Sequence, residues 1–145
     1  MEQDIFRAEA EELLDDLEAA LLELEARPDD RELVNRVFRA LHTVKGSGKM
    51  FGFDAIAAFV HQVETVYDAV RDGRLTVDGE LISRTLAARD VVRRLLRDED
   101  VPEASQEAIL AGFSARLTAT ASRPAAPSSR AELARPAEIA AGVGS

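Results

Sequence analysis

Apolar residues between Phe6 and Leu96 recur at intervals of three, four and seven. That spacing keeps one face of an α-helix apolar turn after turn, and it leaves little room for a fold built on strands. No Asn-Gly or Asp-Gly pair sits between alternating β-branched runs, so no hairpin is expected. The stripe Phe6, Leu13, Leu14, Leu17, Leu21 and Leu24 predicts a first helix over about residues 4–26, ended by Pro28. Asp29 or Asp30 then caps a second helix, striped by Leu33, Val34, Val37, Leu41 and Val44, that frays or stops within residues 46–52. Phe53-Asp54 opens a third helix, striped by Ile56, Phe59, Val60, Val63, Tyr67 and Val70, with Gly73 as its stop. Asp78 caps a fourth, carrying Leu81, Ile82, Leu86, Val92, Leu95 and Leu96, which breaks at Asp98-Glu99-Asp100 and Pro102. A weaker fifth helix follows with Ile109, Leu110, Phe113 and Leu117. Four amphipathic helices with short connections predict an all-α fold, an antiparallel four-helix bundle with an additional C-terminal fifth helix at one end or along one side.

After Ala121 the composition shifts to Ala, Ser and Gly with Pro124, Pro127 and Pro136. Residues 1–121 therefore read as one domain and residues 122–145 as a flexible linker or tail, in which Glu132–Ile139 is at most a short recognition segment. Hydrophobic residues make up 46% of the 145, enough for a core without staples. There is no cysteine, hence no disulfide, thiolate metal site or thiol nucleophile. No apolar run approaches the roughly 20 residues of a membrane span. The acidic start Met1-Glu2-Gln3-Asp4 is unlike a secretory signal, so the cytoplasm is the expected location.

The net charge of −9 argues against a nucleic-acid binder, which carries a basic footprint. The charge is unevenly placed. Residues 1–30 hold twelve acids against Arg7 and Arg27, a net of −10, and that acidic face of the first helix reads as solubilising. Residues 31–52 hold Arg31, Arg36, Arg39, Lys45 and Lys49 against Glu32, a net of +4.

That positive segment also concentrates residues with chemistry. Of eighteen basic residues only two are lysines, and both lie here, beside His42 and among Gly46, Gly48 and Gly52. Lys is a compact point charge, whereas Arg is a planar fork. Positions 38, 42, 45 and 49 share one helical stripe at the edge of the core face. Gly46, one turn after His42, costs roughly 1 kcal/mol of helix stability and leaves the imidazole open to another surface. On the third helix His61 and Glu64 share a face, continued by Asp68. If the second and third helices form an antiparallel hairpin about residues 46–52, Glu64 comes toward His42. A carboxylate bound to one ring nitrogen fixes the tautomer and leaves the other as a nucleophile. Lys45 then balances charge arriving there. This arrangement suits a histidine that accepts a phosphoryl group.

His42-Thr-Val-Lys-Gly-Ser-Gly on a helix of a small acidic bundle resembles the histidine phosphotransfer (HPt) domains. The longer string FRALHTVKGSGKMFGFDAIAAFVHQVE and the acidic first helix DIFRAEAEELLDDLEAALLELE are similar, more narrowly, to the phosphoryl-accepting P1 domains of CheA-type chemotaxis histidine kinases. The likeness covers about residues 4–118. It implies that His42 is the phosphoacceptor, that Lys45 and Gly46 are the Lys-Gly following it, that Glu64 is the carboxylate bonded to the imidazole, and that His61 supports that network. Lys49 departs from the small or polar residue expected there and adds positive charge. Gly46, Lys49 and Arg39 are expected to face a docking partner. The resemblance further implies two partners, a histidine kinase catalytic domain using ATP and Mg²⁺ and a response-regulator receiver domain using Mg²⁺. The chain itself is expected to bind no cofactor, to be no enzyme alone, and to be monomeric.

Other readings explain less. Gly-Ser-Gly-Lys fails as a phosphate-binding loop, because Thr43 and Met50 stand where Gly and Ser or Thr are required and no strand precedes it. The dinucleotide fingerprint fails at Phe51. A metal site of His42, His61 and Glu64 would place Lys45 against the cation, and bundle di-metal sites need carboxylates from more helices. A purely structural adaptor bundle leaves the His–Lys–Gly cluster unexplained.

Overall fold

The computed structural model describes residues 2–122, which form five helices: α1 (Glu2–Ala26), α2 (Arg31–Met50), α3 (Asp54–Arg71), α4 (Gly79–Leu96) and α5 (Glu103–Ser122). No strand occurs among the described residues. Helix α2 packs on α1 and α3, and α4 packs on α3 and α1, which closes the ring of an antiparallel four-helix bundle. The chain divides into two units at Ala115 and Arg116, the first holding this bundle and the opening turns of α5. The proposed tail from residue 123 onward lies outside the described residues.

The apolar stripes are the core. Phe6, Leu14, Leu17, Leu21 and Leu24 meet Val37, Leu41 and Val44, then Val60, Val63 and Tyr67, then Leu81, Ile82, Val92 and Leu96, all buried. Leu13, Leu86 and Leu95 are half-buried at stripe edges. One polar pair crosses the core. Thr85 Oγ1 donates to the Leu81 carbonyl at 2.7 Å, so the Tyr67 hydroxyl donates to Thr85 over 2.7 Å and joins α3 to α4.

Helix ends follow the chemistry of their caps. Of the two candidates before α2, Asp30 is the cap: its Oδ1 accepts from the Glu32 and Leu33 amides at 3.0 and 3.2 Å. Asp78 caps α4 through the Leu81 amide at 2.9 Å. Helices α2, α3 and α4 all end with a left-handed residue and a double closing bond. In α2 the left-handed residue is Gly52 (φ 87°), and the Phe53 amide reaches the Gly48 carbonyl at 2.7 Å. In α3 it is Gly73 (φ 80°), with Arg74 bonded to Ala69 at 2.9 Å. In α4 it is Asp98 (φ 58°), a strained choice that the sequence did not announce beyond an acidic break.

The tight turn between α2 and α3 is pinned to α1. Phe53 and Phe51 pack against Phe6 at ring distances of 4.7 and 6.1 Å, and the Arg7 guanidinium lies 5.2 Å over Phe53. A β-carbon at Gly48 would meet the Phe6 ring at 3.5 Å and the Phe53 carbonyl at 3.6 Å, ordinary contact distances that show how closely α2 approaches this cluster. At about 1.5 Å of rise per residue, His42 on α2 and Glu64 on α3 stand at similar heights above this turn.

The acids of α1 do more than solubilise. Arg93 pairs with Glu11 and Asp15, Arg89 with Glu18, Arg97 with Glu11, and Arg36 of α2 with Asp16. The acidic face thus clamps α1 to both neighbours. Helix α5 begins beside α4, where the Arg84 side chain occupies the space a β-carbon at Gly112 would need, and Phe113 is buried.

Candidate functional site

The α2–α3 seam carries one buried carboxylate, and three bases converge on it. Glu64 follows Val63 at the edge of the α3 core stripe, and its side chain is 7% exposed, deeper than its place beside that stripe suggested. His42 Nδ1 lies 2.6 Å from Glu64 Oε2. Lys45 Nζ lies 2.7 Å from Oε1. His61 Nδ1 is 3.5 Å from the same oxygen, at the outer limit of a hydrogen bond. The sequence-derived set His42, Lys45, His61 and Glu64 is therefore brought together, with His61 at its margin.

Burial pushes the Glu64 carboxyl up, but the hydrogen bonds from Lys45 and His42 and their charges outweigh it, so the net direction is below the ordinary carboxylate range. An ionised Glu64 can only accept, so Nδ1 of His42 carries the proton and donates. In the neutral ring Nε2 then holds the free lone pair. The His42 side chain is 63% exposed, in contrast to its partner. The pair therefore combines an anchored nitrogen inside with an accessible one outside.

Lys45 is tied to Glu64 rather than standing free, but an ammonium has three donors and the bond to Oε1 uses one. Gly46 is exposed, with open space where its β-carbon would stand. Lys49 is exposed and forms no ion pair among the described residues. Lys45, Gly46, Lys49, Ala57, Ala58 and His61 line a shallow recess that Asp54 also borders. Arg39 is exposed, one turn before His42, and pairs loosely with Glu32 at 3.6 Å. No group of three or more potential metal ligands occurs among the described residues. At Glu64 Oε1 the Lys45 ammonium competes for the position a cation would take. No helix among the described residues is long and apolar enough to cross a membrane.

Sequence reasoning put position 38 on the stripe of His42 but gave Phe38 no role, and it missed Arg71. The Phe38 ring stacks on the His42 imidazole, 5.9 Å between centroids and 12° between planes. The Arg71 guanidinium lies 4.1 Å over the Phe38 ring. The four-residue spacing of Phe38 and His42 was a usable signal, while the arrival of Arg71 depends on how α3 packs.

Similarities to known proteins agree with this geometry. The Hpt domain family matches residues 3–99. The chain is 41% identical over 93 residues to the chemotaxis protein CheA of Rhizobium meliloti, covering 64% of this chain and 12% of that protein. It is 36% identical over 92 residues to the chemotaxis protein CheA of Borreliella burgdorferi, covering 63% and 11%. The chain thus spans only a small part of the length of these relatives. Among solved structures, the CheA phosphotransferase domain from Thermotoga maritima is 35% identical, with a TM-score of 0.64 over 66% of this chain and 91% of that one. The phosphorylated P1 domain of CheA3 in complex with CheY6 from R. sphaeroides is 28% identical, with a TM-score of 0.74 over 83% and 99%. With its closed ring of helices and its His–Lys–Glu cluster on one seam, the chain belongs to the Hpt domain family, in the branch represented by the phosphotransfer domains of CheA.

Proposed function

We propose that residues 1–121 carry a phosphoryl group between a histidine kinase domain and a response regulator in a chemotaxis-type pathway, with His42 as the carrier. The observation that carries this reading is the 2.6 Å contact between His42 Nδ1 and Glu64, with the other side of an exposed ring left open. In the first half-reaction the Nε2 lone pair attacks the γ-phosphorus of ATP held by a separate kinase domain. A P–N bond forms, the bond to the bridging oxygen breaks, and ADP departs. Glu64 stabilises the positive charge that develops on the ring, and a remaining Lys45 donor faces the phosphoryl oxygens. In the second half-reaction an aspartate carboxylate of a receiver domain, with its own Mg²⁺, attacks the phosphorus, and the electron pair of the P–N bond returns to Nε2.

The chain supplies a positioned nucleophile, and its partners supply the nucleotide site, the metal and most of the transition-state stabilisation. It is accordingly no enzyme alone and holds no cofactor. A receiver as partner is supported by the complex of a similar P1 domain with CheY6. Gly46, Lys49 and Arg39 form the rim on which either partner docks, with His61 supporting the network. We further assign the chain a monomeric state, a cytoplasmic location, and a linker role for residues 122–145.

The test is acid-labile phosphate incorporation from ATP and Mg²⁺ with a chemotaxis-type kinase core lacking its own phosphotransfer domain. Wild type is expected to take up acid-labile, alkali-stable label, and His42→Gln none. Equal labelling of His42→Gln would overturn the assignment.

A further inference from the structure

A helical side chain leans toward the N-terminus of its own helix, over the turn that precedes it. For His42 that turn presents Phe38, while the following turn presents Gly46 and Lys45, whose ammonium is bonded to Glu64. The imidazole therefore has a wall on one side and open space on the other. The covalent tether at Cγ and one hydrogen bond through Nδ1 fix two points on the ring but leave its plane free to tilt about the line joining them. A near-parallel aromatic plane removes that freedom. Phe38 is itself half-buried and is overlain by Arg71, the last residue of α3. Arg71 takes part in no ion pair among the described residues, so its guanidinium is not drawn away to a carboxylate. Its carbonyl accepts from Arg31 in the first turn of α2 at 3.1 Å, which holds the end of α3 against the start of α2.

We infer that Phe38, held in place by Arg71, is a positioning residue for the His42 imidazole: it fixes the ring plane so that the Nδ1–H bond to Glu64 persists and Nε2 points outward. Neither residue touches the reacting atoms. The inference rests on the phosphocarrier reading of His42, but its primary readout does not. That readout is the tautomer of His42 in the unphosphorylated chain, followed by long-range ¹H–¹⁵N correlation spectra. In wild type the Nδ1–H form dominates. Phe38→Leu keeps apolar bulk but removes the flat face, and it is expected to give mixed tautomers. Phe38→Tyr restores the face and the wild-type pattern. Arg71→Gln leaves the core untouched, so it keeps the inference testable if Phe38→Leu fails to fold. It shifts the tautomer balance in the same direction by a smaller amount.

In the phosphorylation assay, Phe38→Leu lowers the rate at saturating kinase and ATP by about 2- to 10-fold, the worth of a stacked ring pair. The half-saturating kinase concentration changes less than about two-fold, because the exposed rim is intact. Wild-type tautomers in both Phe38→Leu and Arg71→Gln would overturn the inference, as would a loss confined to half-saturation. Failure of wild type to be labelled while Phe38→Leu still mixes the tautomers would instead remove the phosphocarrier reading and leave the positioning role standing.

Discussion

The α2–α3 seam and the seam between α1 and α4 both join helices through charge, and they do it in opposite ways. Along α1 and α4, arginines meet several exposed acids, and Arg93 alone reaches both Glu11 and Asp15. Most of those acids stand well exposed to solvent, so each pair is screened and replaceable. Across α2 and α3, one buried carboxylate serves His42, Lys45 and, at longer range, His61. No second acid shares that load among the ion pairs at the site. Planar guanidinium forks suit the first seam, where several oxygens are bridged at once. A point charge and a titratable ring suit the second, where a proton must be held and a lone pair released. The split explains why a chain so rich in arginine keeps a lysine at position 45, against Glu64.

The contrast between the two seams rests most heavily on Glu64. Glu64→Ala is expected to slow phosphoryl uptake by at least about tenfold, the worth of a charge-assisted hydrogen bond, while circular dichroism stays helical. An unchanged rate would mean that the single carboxylate is as dispensable as an acid of α1. Exchanging the cations sharpens the same point. Lys45→Arg is expected to lower uptake several-fold, because a rigid fork cannot bond Glu64 and still aim a donor at the phosphoryl oxygens. Arg93→Lys should leave uptake unchanged, and equal losses in the two variants would erase the distinction.

Acid provides a third probe. Glu64 keeps its charge to lower pH in the folded chain than in the unfolded one. Its stabilising effect is therefore whole above the ordinary value of about 4.5 and is lost as the pH falls through the lowered folded value. Urea midpoints measured from pH 7 to pH 3 should fall less steeply for Glu64→Gln than for wild type in that acid range. Parallel curves would contradict the assigned direction.

Smaller effects are expected on the other seam. Arg93→Ala should cost under about 1 kcal/mol, and the difference should shrink in high salt. The smallest is Asp98→Gly. It relieves a left-handed aspartate but removes the Asp98 partner of Arg7, 3.0 Å away, for a net change within about 0.5 kcal/mol by urea unfolding.

How far these regions were legible in the sequence follows the same division. The core was readable because burial repeats with the helix, and every stripe residue named on α2 and α3 is buried. The site was readable because its two halves lie on one hairpin, so local spacing at His42–Lys45 and at His61–Glu64 nearly determines their meeting. The clamp between α1 and α4 was not, since pairs such as Arg93 and Asp15 join residues 78 positions apart. Periodicity marks those acids only as solvent-facing and does not say which neighbour they face. Arg71 over Phe38 was hidden for the same reason. The choice of Asp30 over Asp29 was hidden because both side chains can cap and only the backbone entering α2 decides.

Everything proposed for the α2–α3 seam turns on Glu64 holding Nδ1 so that Nε2 carries the phosphoryl group. Phosphorylating ¹⁵N-histidine-labelled chain and reading the ³¹P–¹⁵N coupling of His42 tests it directly. The expected product has the phosphoryl group bonded to Nε2, with Nδ1 still protonated against Glu64. Phosphorus bonded to Nδ1, or to His61 instead, would contradict it.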